Sequence, residues 1–376
     1  MLYAINSEIL MKKGFLNGTI YIPNHKKLLH VKNVLIDQII EKKRMPENIR
    51  KYIGREEYDI SIINNNINIG VDSIFIDLTS ACNLKCIGCY SYKEKNGNIS
   101  DDILNSITKI NSTENTKLVF LGGEPLLYPI NKIKSHLDGW NGKFKKIIIF
   151  TNGYYLNNEW LSLIKERNIS LRFTFYSFDE KIHNKYTKNE SSFIKVLDAI
   201  KSCKQESIKF KTNFILNSDE FAVKDKLLKA FKIDLDNVFF DLVRPMEDHK
   251  NKEYFFEKEK HKKTKRPIVY KSFINAVRDN FYQSCYAGKF SVSVNGSVFC
   301  CPWKKNDNTI NIHDSNVIEK LSHKWKEPIS KKFSYCKVCE FSHLCFNCPS
   351  LNNRAIDIHR PNNCKYNPFT GEMEND

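Results

Sequence analysis

The sequence predicts an α/β fold: a partial (β/α)6 barrel resembling a TIM barrel cut short, with a small α+β unit before it and a cysteine-rich extension after it. Three observations carry this. From residue 72 to about 243, apolar runs alternate with amphipathic segments, and that alternation implies a parallel sheet with right-handed crossovers. Six such runs occur, which suits a partial barrel better than a closed eight-stranded one. The cysteines fall mostly into two groups, three at 82–89 and eight between 285 and 364.

Residues 1–70 read as a separate small unit. Gly18 to Ile22 is a strand candidate, left through Pro23-Asn24. Val31, Leu35, Ile39 and Ile40 recur at helical spacing, and Pro46 opens a second short helix carrying Ile49 and Ile53. In the region 71–243, strands are expected at 74–79, 118–121, 146–150, 171–175, 210–216 and 238–242. Helices are expected at 100–109, 156–167, 192–205 and 219–231. Cys203 falls on one of these helices and reads as a small core residue. Residues 244–284 form a charged linker, which includes Lys262, Lys263, Lys265 and Arg266, and a bridging helix. The last region spans 285–376. There Phe290, Val292 and Val294 alternate up to Asn295-Gly296, a hairpin signal. A two-residue turn puts Cys301 opposite Phe290 on the apolar face and turns Cys300 away.

The formal charge is +16. The lysines are spread along the whole chain, so basicity reads as a property of the surface and names no nucleic-acid or membrane partner. The N-terminal stretch lacks the apolar core and cleavage site of a secretory signal, and no run reaches membrane-spanning length. A cytoplasmic location is expected. In such a setting clustered thiols point to metal rather than disulfides.

The chemistry centres on Cys82-Asn-Leu-Lys-Cys86-Ile-Gly-Cys89, which follows the first predicted barrel strand. Iron–sulfur clusters usually take four thiolates. Three thiols leave one iron open, and an open position makes a metal site catalytic. The alternative is a partial zinc site, but zinc prefers a closed set of four and no second knuckle lies nearby.

This CxxxCxxC loop resembles that of the radical SAM superfamily. The resemblance implies a [4Fe–4S] cluster on Cys82, Cys86 and Cys89 whose open iron chelates S-adenosylmethionine. Tyr90 is the candidate cover for the adenine, because the position before the last cysteine, often aromatic in that family, is Gly88 here. Gly122-Gly123-Glu124-Pro125 is similar to the family's GGEP motif, with Glu124 facing the methionine ammonium. Thr151-Asn152-Gly153 looks like its TNG turn. Ser177-Phe178-Asp179 resembles S-x-D-G, making Ser177 a donor to the methionine carboxylate. Here the family's glycine is Glu180, and an arginine that often pairs that carboxylate falls on Thr187.

The late cysteines resemble the SPASM extension, which binds two auxiliary [4Fe–4S] clusters. Cys285, Gly296, Cys301, Cys336, Cys339 and Cys345 match its spacing, whereas Cys348 comes one residue early. The resemblance places Cys336, Cys339, Cys345 and Cys364 on one cluster. Cys285, Cys301 and Cys348 fall on the other, with Cys300 or an open iron as the fourth position. Structural zinc knuckles are the alternative. A non-ligand role is expected for His343.

The resemblance implies an enzyme that abstracts hydrogen from a ribosomally made precursor peptide. The product would be a thioether, a carbon–carbon crosslink, an epimerised centre or an oxidised side chain. It also implies three clusters, S-adenosylmethionine and an electron donor such as flavodoxin or ferredoxin. Residues 1–70 then read either as a winged-helix-like element binding the peptide's leader or as a layer under the barrel. An anaerobic sulfatase maturase is a second reading. A cluster-bearing peptide-binding or redox-sensing protein without turnover is a third.

Overall fold

The computed structural model describes every residue except 43, 55, 56, 66, 68, 88, 90–96, 111–114, 232–237, 243–267, 304–309, 329–331, 346–358, 362, 363, 375 and 376. The charged segment ending at Arg266, as well as Tyr90 and Cys348, lies outside the described residues. The chain forms two compact units, each assembled from separated stretches: 1–69 with 261–287 and 322–376, and 70–260 with 288–321.

The first unit is built on a five-stranded antiparallel sheet. Its strands are β1 (Leu2–Ile5), β2 (Ile9–Lys13), β3 (Asn17–Ile22), β4 (Lys27–Lys32) and β5 (Ile60–Ile62), in the order β4-β3-β2-β1-β5. Two helices follow β4: α1 (Asn33–Ile40) and α2 (Glu47–Ile53). Val31, read from its spacing as helical, belongs to β4. Its strand pairs along all of β3, and that ladder overrides the local apolar period. One face of the sheet packs through Ile9, Met11 and Ile20 on Ile36 and Ile39 of α1 and Ile49 and Ile53 of α2. The other face, with Leu2, Ala4, Leu10 and Tyr21, packs on Ala276 and Val277 of the helix Phe273–Phe281 and on Leu344. A sheet buried on both faces reads as continuous apolar runs, as Ile9-Leu10-Met11 does.

The second unit carries six parallel strands in sequential order: β6 (Ser73–Thr79), β7 (Lys117–Gly122), β8 (Lys146–Thr151), β9 (Ser170–Phe175), β10 (Phe210–Leu216) and β11 (Val238–Leu242). These are the six runs read from the sequence. The crossover helices are α3 (Asp101–Thr108), α4 (Ile130–Gly139), α5 (Asn158–Glu166), α6 (Glu180–Thr187), α7 (Ser192–Gln205), α8 (Ser218–Ala222) and α9 (Lys224–Phe231). α4 and α6 add to the sequence reading. α4 is opened by Pro129, and α6 by the Asp179 carboxylate, which accepts from the Ile182 N–H as an N-cap. The helices cover one face of the sheet, where Phe120 meets Trp140 and Phe175 meets His183 and Phe193.

On the other side of β6 the sheet continues through β12 (Lys289–Val292), β13 (Ser297–Phe299) and β14 (Ile310–Asn311). β12 runs parallel to β6, and β13 returns against it. The register pairs Ser291 with Phe299 and Val292 with Val298. The turn therefore holds three residues between Ser293 and Ser297, not two. Gly296 sits in it at φ +82°, and its N–H bonds the Ser293 carbonyl. A three-residue hairpin loop needs a left-handed residue at this place. The extra residue reverses the expected phase. Continued past Phe299, this register would set Cys300 rather than Cys301 opposite Phe290.

Candidate active site and cysteine array

The segment carrying Cys82, Cys86 and Cys89 leaves the C-terminal end of β6. It is anchored at both ends by backbone bonds. The Gly123 and Glu124 N–H groups donate to the carbonyls of Thr79 and Ala81 at 2.7 and 2.8 Å. The Lys85 and Ile87 N–H groups donate to Thr187 and Tyr186, the last residues of α6 and its final turn. Gly122 and Gly123 make the first anchor possible. A Cβ at Gly122, whose φ is +123°, would stand 2.2 Å from the Thr79 carbonyl oxygen, and one at Gly123 would stand 2.2 Å from that of Ala81. The close approach that these glycines permit is between β7 and the cysteine segment itself.

Glu124 is the hub. Its side chain is buried. One carboxylate oxygen accepts from the Thr151 hydroxyl at 2.6 Å and the Leu126 N–H at 3.0 Å. The other accepts from the Asn152 N–H at 2.8 Å. A carboxylate offers about four acceptor positions, so one on the second oxygen is left for a cation. Burial pushes its pKa up to about 7, against the lowering by these three bonds. An ammonium placed there would draw it back toward the ionised form. Asn152 carries the network onward: its amide donates to the Asn83 side chain at 2.9 Å, between Cys82 and Cys86. Pro125 follows the hub as the first residue of a short 3-10 turn. The three predicted motifs on β6, β7 and β8 are thus joined by direct hydrogen bonds.

Ser177 is fully buried past the end of β9, and its hydroxyl donates to the Glu220 carboxylate. Glu220 also accepts from the Phe178 N–H at 3.2 Å. A serine has one O–H to give, so a carboxylate donor role for Ser177 requires release from Glu220. Glu220 was not singled out in the sequence, because a glutamate in the first turn of α8 reads as an ordinary helix-start residue. Tyr176 and Tyr186 were missed too. Their rings stack at 4.0 Å and pack with Ile87 against Cys86.

The charge of Cys89 bears on both Cys82 and Cys86, and that of Cys82 on Cys86. The surrounding protein desolvates Cys82 and brings it up to about 11 although part of the residue is exposed, and burial raises Cys86 further, with Cys89 and Cys82 adding to the effect. Neutral thiols must shed protons to bind iron. Iron uptake should therefore increase between pH 6.5 and 8.5, measured as iron bound per chain after anaerobic reconstitution. A flat profile would show thiolates already formed.

The first unit gathers Cys336, Cys339, Cys345 and Cys364, close enough that the charge of Cys345 bears on Cys336 and Cys339 and that of Cys364 on Cys336 and Cys345. Burial holds Cys336 and Cys339 well above the usual thiol range and Cys345 at about 12. Among the described residues no three His, Cys, Asp or Glu side chains close into the tight shell of a single metal ion. Lys12 of β2 lies buried beside this group. Its Nζ donates to Asn280 at 2.6 Å and to Ser342 at 2.5 Å, and no carboxylate lies within ion-pair distance among the described residues. Burial lowers its pKa to about 8, and the nearby Cys339, Cys345 and Cys336 oppose that. The Glu340 carboxylate also acts on it from beyond ion-pair distance, and a buried ammonium with no carboxylate in direct contact suits a further anionic neighbour, as four thiolates around iron would be. His343 is buried with neither ring nitrogen hydrogen-bonded among the described residues. The residues of the other expected set divide between the units: Cys285 belongs to the first, Cys300 and Cys301 to the second.

Comparison with known proteins accords with this geometry. The profile of the Radical SAM superfamily matches residues 76–220. A cysteine-type anaerobic sulfatase-maturating enzyme of Clostridium novyi is 27% identical over 230 residues, 56% of this chain and 60% of that enzyme. The antilisterial bacteriocin subtilosin biosynthesis protein AlbA of Bacillus subtilis is 27% identical over 323 residues, 77% of this chain and 70% of AlbA. The crystal structure of Streptococcus suis SuiB bound to precursor peptide SuiA superposes with a TM-score of 0.55 at 14% identity, covering 96% of this chain and all of that one. Residues 76–220, which hold the cysteine segment, Glu124 and the Thr151-Asn152 turn, are therefore a radical SAM domain.

Proposed function

We propose that this chain is a radical SAM enzyme that modifies a ribosomally made peptide. The observation that carries this reading is the hydrogen-bonded path from the cysteine segment through Asn83, Asn152 and Thr151 to Glu124. Cys82, Cys86 and Cys89 would hold a [4Fe–4S] cluster, and S-adenosylmethionine would lie against Gly122, Gly123, Glu124, Pro125, Thr151, Asn152, Ser177 and Tyr90. When bound, the pair supplies a 5′-deoxyadenosyl radical for hydrogen abstraction. The protein's part is positioning. Glu124 offers its remaining acceptor to the ammonium, and Asn152 fixes the cysteine segment against that carboxylate. Tyr176, Tyr186 and Ile87 shield Cys86 from water.

A peptide substrate is supported by the relatives, whose names concern bacteriocin biosynthesis and sulfatase maturation, and by the SuiB complex with a precursor peptide. The electron donor would be a flavodoxin or ferredoxin. Formylglycine formation in a sulfatase is the second reading, favoured by the similarity to the Clostridium enzyme. Anaerobic incubation with S-adenosylmethionine and a reductant should release 5′-deoxyadenosine. No release from iron-loaded protein would leave a non-catalytic cluster protein instead.

The array would add two auxiliary clusters, one on Cys336, Cys339, Cys345 and Cys364 and one on Cys285, Cys301 and Cys348. With β13 ending at Phe299 and the turn one residue longer than expected, strand phase gives no reason to exclude Cys300. Iron analysis should give about twelve irons per chain, four for each of three clusters. Replacing Cys336 and Cys339 by Ala should bring that to about eight. Zinc with only about four irons in the wild type would refute the auxiliary clusters.

A further inference from the structure

The face of the parallel sheet opposite the helices carries an unusual charge. Along a strand alternate residues share a face. Phe75, Val119, Leu121, Ile148 and Phe150 form a cluster on this one. The same alternation places Lys117, Lys146, Arg172 and Lys211 there, and the register sets Lys117 beside Lys146 and Arg172 beside both Phe150 and Lys211. Lys209, just before β10, continues the set. The Arg172 guanidinium lies 5.4 Å from the centre of the Phe150 ring and 5.3 Å from that of Phe239, and Lys211 lies 4.9 Å from Phe239. No carboxylate pairs with Arg172 among the described residues. Asp77 and Asp241 share the face but stand further along their strands, beside Leu121 and Ile215.

We infer that this face is an anion subsite for a carboxylate of the peptide substrate, with Arg172 and Lys211 as its principal donors. The inference rests on the peptide-modifying reading and adds a substrate class to it, a segment bearing Asp, Glu or a free C-terminus. The rings hold the guanidinium plane in place, so its fork can meet a carboxylate in bidentate fashion with little further ordering. The half-buried position strengthens the attraction over that of a surface lysine. Burial already lowers Arg172 and Lys146, and the cations around Lys146 add to its shift, so this face is poised to gain from an incoming negative charge. An acidic peptide fits better than a polynucleotide, because Arg172, Lys211 and Lys146 are half-buried among the rings of Phe75 and Phe150 and only Lys117 and Lys209 are exposed.

Fluorescence anisotropy with labelled hexaglutamate tests this on the full chain. Hexaglutamate should bind in a salt-dependent manner, and hexaglutamine should not. Arg172→Gln with Lys211→Gln should weaken hexaglutamate binding about tenfold or more. Arg172→Lys keeps the charge and should lose only about threefold. Lys165→Gln with Lys201→Gln removes the same charge from exposed helix positions and should change nothing. Equal loss from that control pair would reduce the effect to net charge and overturn the subsite. So would a preference for oligothymidylate over hexaglutamate. Release of 5′-deoxyadenosine by the wild type is read separately. A protein that cleaves S-adenosylmethionine but ignores hexaglutamate refutes the subsite alone.

Discussion

Protein in which Cys82, Cys86 and Cys89 are all replaced by Ala should release no 5′-deoxyadenosine above the reagent background, a loss of at least about a thousandfold. The reasoning is geometric. These are the thiols on the segment that Gly123, Glu124 and α6 pin to the strand ends, and the charge of the carboxylate with an acceptor to spare reaches Cys82 among them. The auxiliary thiols sit elsewhere in the sequence and are untouched by the change. The variant should therefore retain about eight irons, which separates loss of the catalytic cluster from a collapse of the fold. Undiminished 5′-deoxyadenosine from this variant would remove the segment from the chemistry altogether.

Glu124→Gln should have the next largest effect. Glutamine keeps the shape but turns one acceptor oxygen into a donor NH2. That group would face either the Asn152 N–H or the Leu126 N–H, a backbone donor then left with nothing to accept it. An unsatisfied buried donor costs about 1–3 kcal/mol, and an ammonium ligand would lose a charged hydrogen bond worth about 1.5–3 kcal/mol. S-adenosylmethionine should bind roughly ten- to a hundredfold more weakly by calorimetry. The melting temperature should fall by a few degrees, as a loss near 1 kcal/mol implies for a domain of this size. Unchanged affinity would take Glu124 out of the site.

The strand pattern from 73 to 242 was legible because each parallel strand is a short apolar run with turn residues at its end. The missed helices show why crossovers are harder to read. α6 has Ile182, His183, Tyr186 and Thr187 on a mostly polar stretch, and only three of its residues are buried. Spacing alone could not distinguish a two-residue from a three-residue turn around Asn295-Gly296, since both end in the same glycine. Glu220 and Tyr176 escaped for a different reason. Each acquires its meaning from a partner brought near by the fold, Ser177 in one case and Cys86 in the other. Lys12 escaped likewise: a lysine at the end of Ile-Leu-Met-Lys reads as the solvent side of a strand, and nothing local announces the thiols around it.

That lysine bears on how the protein matures. Without the proposed cluster, the first unit buries an ammonium whose hydrogen-bond partners among the described residues are an amide and a hydroxyl. With its pKa brought down to about 8, the penalty is fully present below that pH. It fades as pH rises toward the unfolded value, where both states lose the proton. Near neutrality, then, the newly made chain carries a built-in defect that cluster insertion would repair. Assembly and quality control would become one event: chains that failed to load iron would keep this penalty at β2 and be more open to proteases. Limited proteolysis at neutral pH should cut the iron-free protein within its first seventy residues well before the loaded one. Lys12→Met, which removes the charge, should narrow that gap, whereas equal cleavage of both wild-type forms would detach Lys12 from maturation.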